Sequence, residues 1–154
     1  MRRALLLLLA ALAALGIVPL SAADGPPKVE FKNSGRVLGA DLPFSEAVRL
    51  GDTLYLSGQV GIAPGTLKLV PGGMRAEAQQ ALENIRAVLE AHGRTTGDLR
   101  KCTVMLADMG DWPAFNEVYR AFLKKPLPAR SAFGTNGLAL GARVEVECIA
   151  DAGP

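Results

Sequence analysis

Apolar residues recur along this chain with two periods, one typical of helices and the other of strands. Across residues 76–92 they return every three or four positions, which predicts an amphipathic helix with Gly93 at its C-terminal cap. A second helix is predicted at residues 111–122, with Asp111 as its N-cap and Pro113 in its first turn. The pattern therefore predicts two helices, each with one buried face.

Short apolar runs predict the strands. The runs at residues 44–50 and 53–59 are separated by Gly51-Asp52, which indicates a β-hairpin. Alternating apolar and polar residues predict three more strands, at residues 102–106, 130–135 and 144–148. The resulting order is β-β-α-β-α-β-β. We therefore predict an α+β fold in which one mixed sheet carries two helices on one face.

The first 23 residues have the composition of a secretory signal. Arg2 and Arg3 precede an almost pure Leu/Ala run at residues 4–15, and Ser21-Ala22-Ala23 offers a cleavage site after Ala23. The run is shorter than the roughly 20 residues that a membrane span needs, although an uncleaved N-terminal anchor is the alternative. We therefore predict a signal peptide at residues 1–23 and an exported protein, periplasmic or secreted.

Removal of this signal leaves a length that suits a single domain. We divide it into a flexible leader at residues 24–35, rich in Pro, Gly and Lys, and a folded domain at residues 36–152. Arg2 and Arg3 leave with the signal, so basic and acidic residues become equal in number and the formal net charge is zero. A chain without a basic stripe or a basic amphipathic helix is not expected to bind nucleic acid or a membrane surface.

The two cysteines, Cys102 and Cys148, both lie in apolar strand patterns. A free cysteine in such a place behaves as a small buried hydrophobe, so we predict two buried thiols. A disulfide is the alternative, because export to an oxidising compartment would allow it. The cysteine spacing and the single histidine, His92, do not form a zinc pattern, and we predict no metal site. We expect His92 to end a helix at the surface.

The predicted last strand has a face that the helices do not cover. If Val144, Val146 and Cys148 pack under the helices, Glu145 and Glu147 point to the opposite side of the sheet. The other side chains expected on that side are a mixture of polar and apolar residues: Tyr55, Ser57, Thr103 and Met105. Such a mixture suits a hydrated interface between subunits.

A proline-bounded segment, residues 127–131, places Arg130 at the start of a strand. A guanidinium group matches a carboxylate with two parallel hydrogen bonds, and a glutamate in the same cleft can handle water or a proton at the neighbouring carbon. An arginine and a glutamate together therefore predict a site for a small acid. On the pattern alone, a surface salt bridge for the arginine and a solvated glutamate face are the more common arrangement.

Five segments carry motifs that occur together in one known family. They are Ser57-Gly58-Gln59-Val60, the helix with Gln80, Leu82 and Asn84, the helix from Asp111-Trp112 through Asn116 and Tyr119, Pro128-Ala129-Arg130-Ser131, and the final strand at residues 144–150. In this order they resemble the RidA (YjgF/YER057c/UK114) family over about residues 34–151.

The resemblance implies a chorismate-mutase-like α+β fold and a homotrimer with its sheets on the inside and three clefts between subunits. It also implies that reactive enamine or imine acids, such as 2-aminoacrylate, are hydrolysed to 2-oxo acids and ammonia without a cofactor. Phe44 and Ala132 stand where many members have tyrosine and cysteine. A non-catalytic protein that binds a small acid in the same cleft is therefore an alternative. The resemblance also implies a chaperone-like or ribonuclease activity as a further alternative, and the zero net charge argues against the ribonuclease.

The resemblance also assigns the site residue by residue. Arg130 matches the arginine that binds the substrate carboxylate, and Glu147 matches the glutamate that positions water, so both are expected to be catalytic. The other expected substrate-binding residues line or brace the cleft: Phe44, Ser57, Gly58 and Asn116.

Overall fold

The computed structural model describes residues 25–39 and 41–154, so the predicted signal peptide lies outside the described residues. In this part of the chain the strands are β1 Val29–Lys32, β2 Ala47–Leu50, β3 Thr53–Val60, β4 Leu99–Leu106, β5 Ala129–Gly134 and β6 Val144–Asp151. The helices are α1 Gly73–Ala91 and α2 Trp112–Phe122, accompanied by short 3-10 turns at Thr96–Asp98, Met109–Asp111 and Ala139–Gly141.

These strands form one sheet in the order β1-β2-β3-β6-β4-β5. Neighbouring strands are antiparallel except for β4 and β5, which are parallel, so the sheet is mixed. Helix α1 packs against β3, β6 and α2. The predicted α+β class, a mixed sheet carrying two helices, is therefore confirmed.

The core lies between the helices and one face of the sheet. Val144, Val146 and Cys148 on β6 are at most 3% exposed, as the alternation of that strand predicts. The predicted apolar stripe of α1 covers this face with Ala78, Leu82, Ile85 and Leu89. Burying each of the larger side chains contributes about 1.5–3 kcal/mol, which makes this layer the main source of stability.

Strand β1 corrects the prediction of a flexible leader at residues 24–35. Its four residues pair antiparallel with β2, from Val29 opposite Leu50 to Lys32 opposite Ala47. The Val-Glu-Phe-Lys alternation is too short to stand out beside the adjacent Pro, Gly and Lys, and β2 supplies the hydrogen-bonding partners that make it a strand. The order of elements is therefore β-β-β-α-β-α-β-β.

The N-terminal ends of the helices differ from the predictions in the start of α1 and in the capping of α2. Helix α1 begins at Gly73, three residues before the predicted start, immediately after Gly72 with φ +115°. Asp111 stands at the N-cap position of α2, but its side chain makes no cap hydrogen bond. Its carboxylate instead accepts from Arg143, with Nε at 2.9 Å and Nη2 at 2.7 Å. The ion pair with the segment before β6 replaces the predicted cap.

Cys102 and Cys148 form a disulfide bond, so the prediction of two free thiols is wrong. Both cysteines are buried as expected, at 1% and 3% exposure. The register of β4 and β6 places them directly opposite each other, with Cα atoms 4.1 Å apart. The pairing of the cysteines follows from the relative register of β4 and β6, which cannot be predicted from the sequence around either cysteine.

Reduction of the disulfide should lower the free energy of unfolding. The bond closes a loop across 46 positions, and such a constraint on the unfolded chain is worth about 2–4 kcal/mol. Urea unfolding of the protein with and without reductant measures this difference. In the Cys102→Ala/Cys148→Ala variant the reductant should have no effect. Labelling of two thiols in the denatured, unreduced protein would show that the bond is absent.

Candidate active site

Arg130 lies on the edge strand β5 with its side chain against α2. Its guanidinium carbon is 4.6 Å from the centroid of the Trp112 ring and 4.7 Å from that of Tyr119. Nη2 donates a hydrogen bond to Oδ1 of Asn116 at 2.8 Å. The aromatic rings and the amide therefore hold a cation in one orientation, since both contacts are favourable to a guanidinium.

No carboxylate within residues 25–39 and 41–154 forms an ion pair with Arg130. An open pocket beside the guanidinium is lined by Asn116, Tyr119, Arg120, Leu127, Pro128 and Arg130. Burial raises the pKa of Tyr119 against the opposing effect of Arg130, so its hydroxyl stays protonated. The pocket thus offers positive charge and hydrogen-bond donors, the chemistry that recognises a small anion.

Ser57 and Gly58 occupy a β-bulge on β3. The register between β3 and β6 shifts between Leu56 and Gln59, so these two residues stand opposite Glu147 alone. The Ser57 hydroxyl donates to the Ser45 carbonyl at 2.7 Å, which ties the bulge to the segment carrying Phe44. Phe44 is 47% exposed. The structure therefore brings these three predicted site residues into one region.

Glu145 lies beside the bulge, on the face of the sheet that the helices leave open. A Cβ atom added to Gly58 would collide with its Oε1, so only glycine allows this approach. Burial raises the pKa of Glu145, and the negative charge of Glu147 raises it further. This carboxyl group is therefore held in a partly desolvated place next to two predicted site residues.

Glu147 is the glutamate that the sequence motif predicted. It is exposed and lies in a different environment on the same open face of the sheet. It lines an open pocket together with Tyr55, Lys101, Thr103 and Ile149. Both glutamates alternate with core residues and look equivalent in the sequence. The signal that distinguishes them is Gly58, because a glycine inside a strand pattern indicates a bulge or a close approach.

One chain does not bring Arg130 and either glutamate into a single pocket. Arg130 points to the helix side of the sheet, whereas Glu145 and Glu147 point to the open side. Strand β4 also lies between β5 and β6, so the axes of these two strands are roughly 10 Å apart at the usual strand spacing. The predicted site residues thus form two groups, Arg130 with Asn116 and the glutamates with Phe44, Ser57 and Gly58.

The open face of the sheet carries large apolar side chains without a cover in the single chain. Those at least 38% exposed on β1, β2, β3 and β5 are Val29, Phe31, Leu50, Tyr55 and Phe133. Apolar surface of this extent is typical of a contact with another protein chain. This observation agrees with the interface that the sequence predicted for the same face.

The described ranges contain neither a candidate metal cluster nor a helix that could span a membrane. Among residues 25–39 and 41–154, no three His, Cys, Asp or Glu side chains are grouped closely enough to hold a metal ion. Neither α1 nor α2 has the length and apolar character that crossing a bilayer requires, and the same part of the chain offers no other candidate.

Comparison with known proteins gives the family. A family model described as Endoribonuclease L-PSP matches residues 35–152. The chain is 46% identical over 112 residues to a Mus musculus protein named 2-iminobutanoate/2-iminopropanoate deaminase, covering 73% of this chain and 83% of that protein. A Homo sapiens protein of the same name is 40% identical over 122 residues, covering 79% and 89%. The chain belongs to the RidA/YjgF family.

Solved structures agree with this assignment. RidA from Psychrobacter sp. PAMC 21119 has a TM-score of 0.72 and 39% sequence identity, covering 79% of this chain and 97% of that one. The YjgF gene product from E. coli has a TM-score of 0.74 and 31% identity, covering 79% and 98%. The chorismate-mutase-like fold implied by the sequence motifs is therefore confirmed.

Glu145 should titrate at a higher pH than an ordinary glutamate, whose pKa is 4.5. A titration followed by carboxyl ¹³C NMR measures this, and Glu147→Gln should lower the value by removing a negative neighbour. Glu117, whose pKa the bound Arg75 lowers, is an internal reference on the same spectrum. Titration of Glu145 at or below pH 4.5 would contradict the prediction.

The raised pKa has a consequence for stability. A folded state that holds the proton more tightly than the unfolded chain gains stability below pH 4.5 and loses it as the pH rises through the folded pKa. Glu145→Gln should therefore raise the Tm at pH 7 and leave it nearly unchanged at pH 4. An equal shift at both pH values would show that burial of the charge is not the cause.

Proposed function

We propose that this protein hydrolyses reactive enamine or imine acids to 2-oxo acids and ammonia in clefts between the subunits of a homotrimer. The observation that carries the proposal is the Arg130 guanidinium, which Asn116 and two aromatic rings orient while no described carboxylate neutralises it. The deaminase names of relatives at 40–46% identity support the same reaction class.

Arg130 binds the substrate carboxylate through two parallel N–H···O hydrogen bonds, and Asn116 fixes the plane of the guanidinium. The carboxylate is attached directly to the carbon that reacts. Anchoring it therefore places that carbon within a narrow range of positions, and attack by a bound water becomes nearly intramolecular.

The chemistry requires a proton at carbon 3 and then water at carbon 2. Uptake of this proton converts the enamine into an iminium ion, whose C=N carbon is electrophilic. A water molecule forms a bond to this carbon while a carboxylate accepts its proton. The carboxylate passes that proton to the nitrogen of the resulting carbinolamine. As the C–N bond breaks and ammonia leaves, the carboxylate accepts the hydroxyl proton, and the 2-oxo acid remains. No redox partner is needed, since no atom is oxidised or reduced overall.

We assign the proton transfer to Glu145 rather than Glu147. Glu145 lies against Gly58, and burial raises its pKa toward the working pH of a general base. Glu147 is exposed and lines a separate pocket. Glu147 remains the residue that the sequence motif predicted, so substitutions at both positions decide between them.

The two groups of site residues suggest a cleft built from two chains. One subunit provides Arg130 and Asn116 at its β5 edge, and its neighbour provides Phe44, Ser57, Gly58 and Glu145. The exposed apolar residues of the open face supply the contact area for such an assembly. In this arrangement Phe44 forms an apolar wall of the cleft.

Arg130→Ala should raise the KM for freshly generated 2-aminoacrylate by about 10-fold to 100-fold, because a charge-assisted hydrogen bond contributes about 1.5–3 kcal/mol. Arg130→Lys should recover part of the loss, since it keeps the charge but not the planar fork. Ammonia release above the buffer rate is the measurement, and Arg100→Ala, at an exposed ion pair with Asp151, is the control. Saturable binding of 2-oxobutanoate without turnover would select the non-catalytic alternative.

Glu145→Gln should lower kcat about 100-fold or more, the usual contribution of a general base. The activity of the unmodified protein should fall as the pH drops through the raised pKa of Glu145. Glu147→Gln should retain most of kcat and move this decline to lower pH. A collapse of kcat in Glu147→Gln alone would return the assignment to Glu147.

Mixed trimers test whether two chains share each cleft. At substrate concentrations well below KM, Arg130→Ala and Glu145→Gln homotrimers should each show about a tenth or less of the unmodified activity. After joint refolding of equal amounts, about a quarter of the clefts should combine an intact Arg130 with an intact Glu145 from the neighbour. Activity that stays at the level of the separate variants would place both residues in one chain's site, or neither.

Export is a further part of the proposal. The small residues at Ser21-Ala22-Ala23 suit signal cleavage, and a Cys102–Cys148 disulfide is typical of an oxidising compartment. N-terminal sequencing of protein from periplasmic and cytoplasmic fractions tests it. A periplasmic protein that begins at Asp24 is expected, whereas an intact N-terminus in the cytoplasmic fraction would contradict export.

A further inference from the structure

His92 does not lie at the surface, contrary to the sequence prediction. It ends α1 as the C-cap residue, and its side chain is only 13% exposed. Its Nε2 lies 3.2 Å from Oε1 of Glu46, whose side chain is 9% exposed. A carboxylate accepts, so the imidazole N–H is the donor. The chain's single histidine is thus used in a nearly buried contact between a helix and the start of β2.

Glu46 also has hydrogen-bond partners in the segment that follows β1. The hydroxyl of Ser34 lies 2.7 and 2.8 Å from its two carboxylate oxygens, and Oδ1 of Asn33 accepts from its backbone N–H at 2.9 Å. These contacts join the residues after β1, the residue before β2 and the end of α1 at one point. A buried carboxylate requires such partners, because an unsatisfied one would cost several kcal/mol.

The same residue is connected to the proposed cleft through its backbone. The Glu46 carbonyl accepts from the Ser57 N–H at 3.0 Å, and the neighbouring Ser45 carbonyl accepts from the Ser57 hydroxyl at 2.7 Å. Phe44 is two residues away and lines a small cavity together with Glu46 and Asn33. The Glu46 side chain therefore fixes a backbone segment that carries Phe44 and accepts two hydrogen bonds from Ser57.

Neither His92 nor Glu46 lines the pocket beside Arg130 or the pocket that contains Glu147. Their polar atoms contact each other and Ser34, and both side chains are largely enclosed. A contact that only stabilised the fold could equally be apolar, because buried charged groups are weak evidence for stability. A directional pair instead fixes the geometry of the segment to which it is attached.

We propose that His92 and Glu46 are a positioning pair, which holds residues 44–46 and through them Phe44 and Ser57 in the arrangement that binds substrate. This inference rests on the proposed cleft. It assigns the pair to substrate binding and not to the chemical step, since Arg130 and Glu145 lie on other strands. The specificity of the cleft for its substrate then depends on a histidine that the substrate never touches.

The test is a comparison of KM and kcat in variants of the full chain. His92→Phe keeps an aromatic ring and removes the hydrogen bond, so it should raise the KM for 2-iminobutanoate about 10-fold and leave kcat within about 2-fold. Glu46→Gln should raise KM less than His92→Phe does, because an amide oxygen can still accept from both the Ser34 hydroxyl and the imidazole N–H. Glu90→Gln, at an exposed carboxylate two residues before His92, is the matched control.

Two further measurements separate this inference from the deaminase proposal. The Kd for 2-oxobutanoate, measured by calorimetry, should weaken in His92→Phe in parallel with KM. Hydrogen exchange should become faster at residues 41–46 and at the Ser57 amide, and remain unchanged in β4 and β6. An unchanged KM and Kd in His92→Phe overturns the positioning role, as does a loss confined to kcat.

If the unmodified protein shows no turnover, the Kd decides. Weaker 2-oxobutanoate binding in His92→Phe then supports the positioning pair, while the deaminase proposal fails. If the unmodified protein neither turns over substrate nor binds 2-oxobutanoate, both are overturned.

Discussion

Side chains on β6 alternate between the two faces of the sheet. A shift of one residue in the pairing register of this strand would move every side chain to the opposite face. Pairing with β3 and β4 on both sides fixes this strand, with Val144, Val146 and Cys148 toward the helices. The same register sets Cys148 opposite Cys102. It also leaves Glu145 facing the bulge on β3, where Gly58 makes room for its carboxylate. The core, the disulfide and the candidate site therefore all depend on one strand alignment.

The fold was largely predictable because its core obeys two simple periods. The four-three-four spacing in α1 and the alternation in β6 each identify a buried face without any knowledge of the partner element. Strand β1 was missed, since four residues at a sheet edge carry little periodicity and owe their conformation to β2. The disulfide was missed for a similar reason, because the relative register of β4 and β6 is a property of the sheet.

The site was predictable only in part. Arg130 follows a proline-bounded turn, and its contact with Asn116 agrees with two separate motifs that are distant in sequence. The alternating pattern does not distinguish Glu145 from Glu147, because both are glutamates that point to the same face of the sheet. Their difference is one of solvation, which arises where Gly58 approaches one of them. The contact of His92 with Glu46 could not be predicted from the sequence either, because the two residues are 46 positions apart.

The Cys102–Cys148 bond divides the sequence into a covalent ring and two open arms. The ring contains α2 and β5, and thus the guanidinium with the amide and aromatic rings that orient it. Phe44, Ser57 and His92 belong to the N-terminal arm. A single backbone break inside the ring leaves both pieces of the chain linked, whereas a break in that arm releases a fragment. Arg130 and Glu145 therefore lie in the part of the chain that oxidation protects against proteolytic loss, and Phe44 and Ser57 do not.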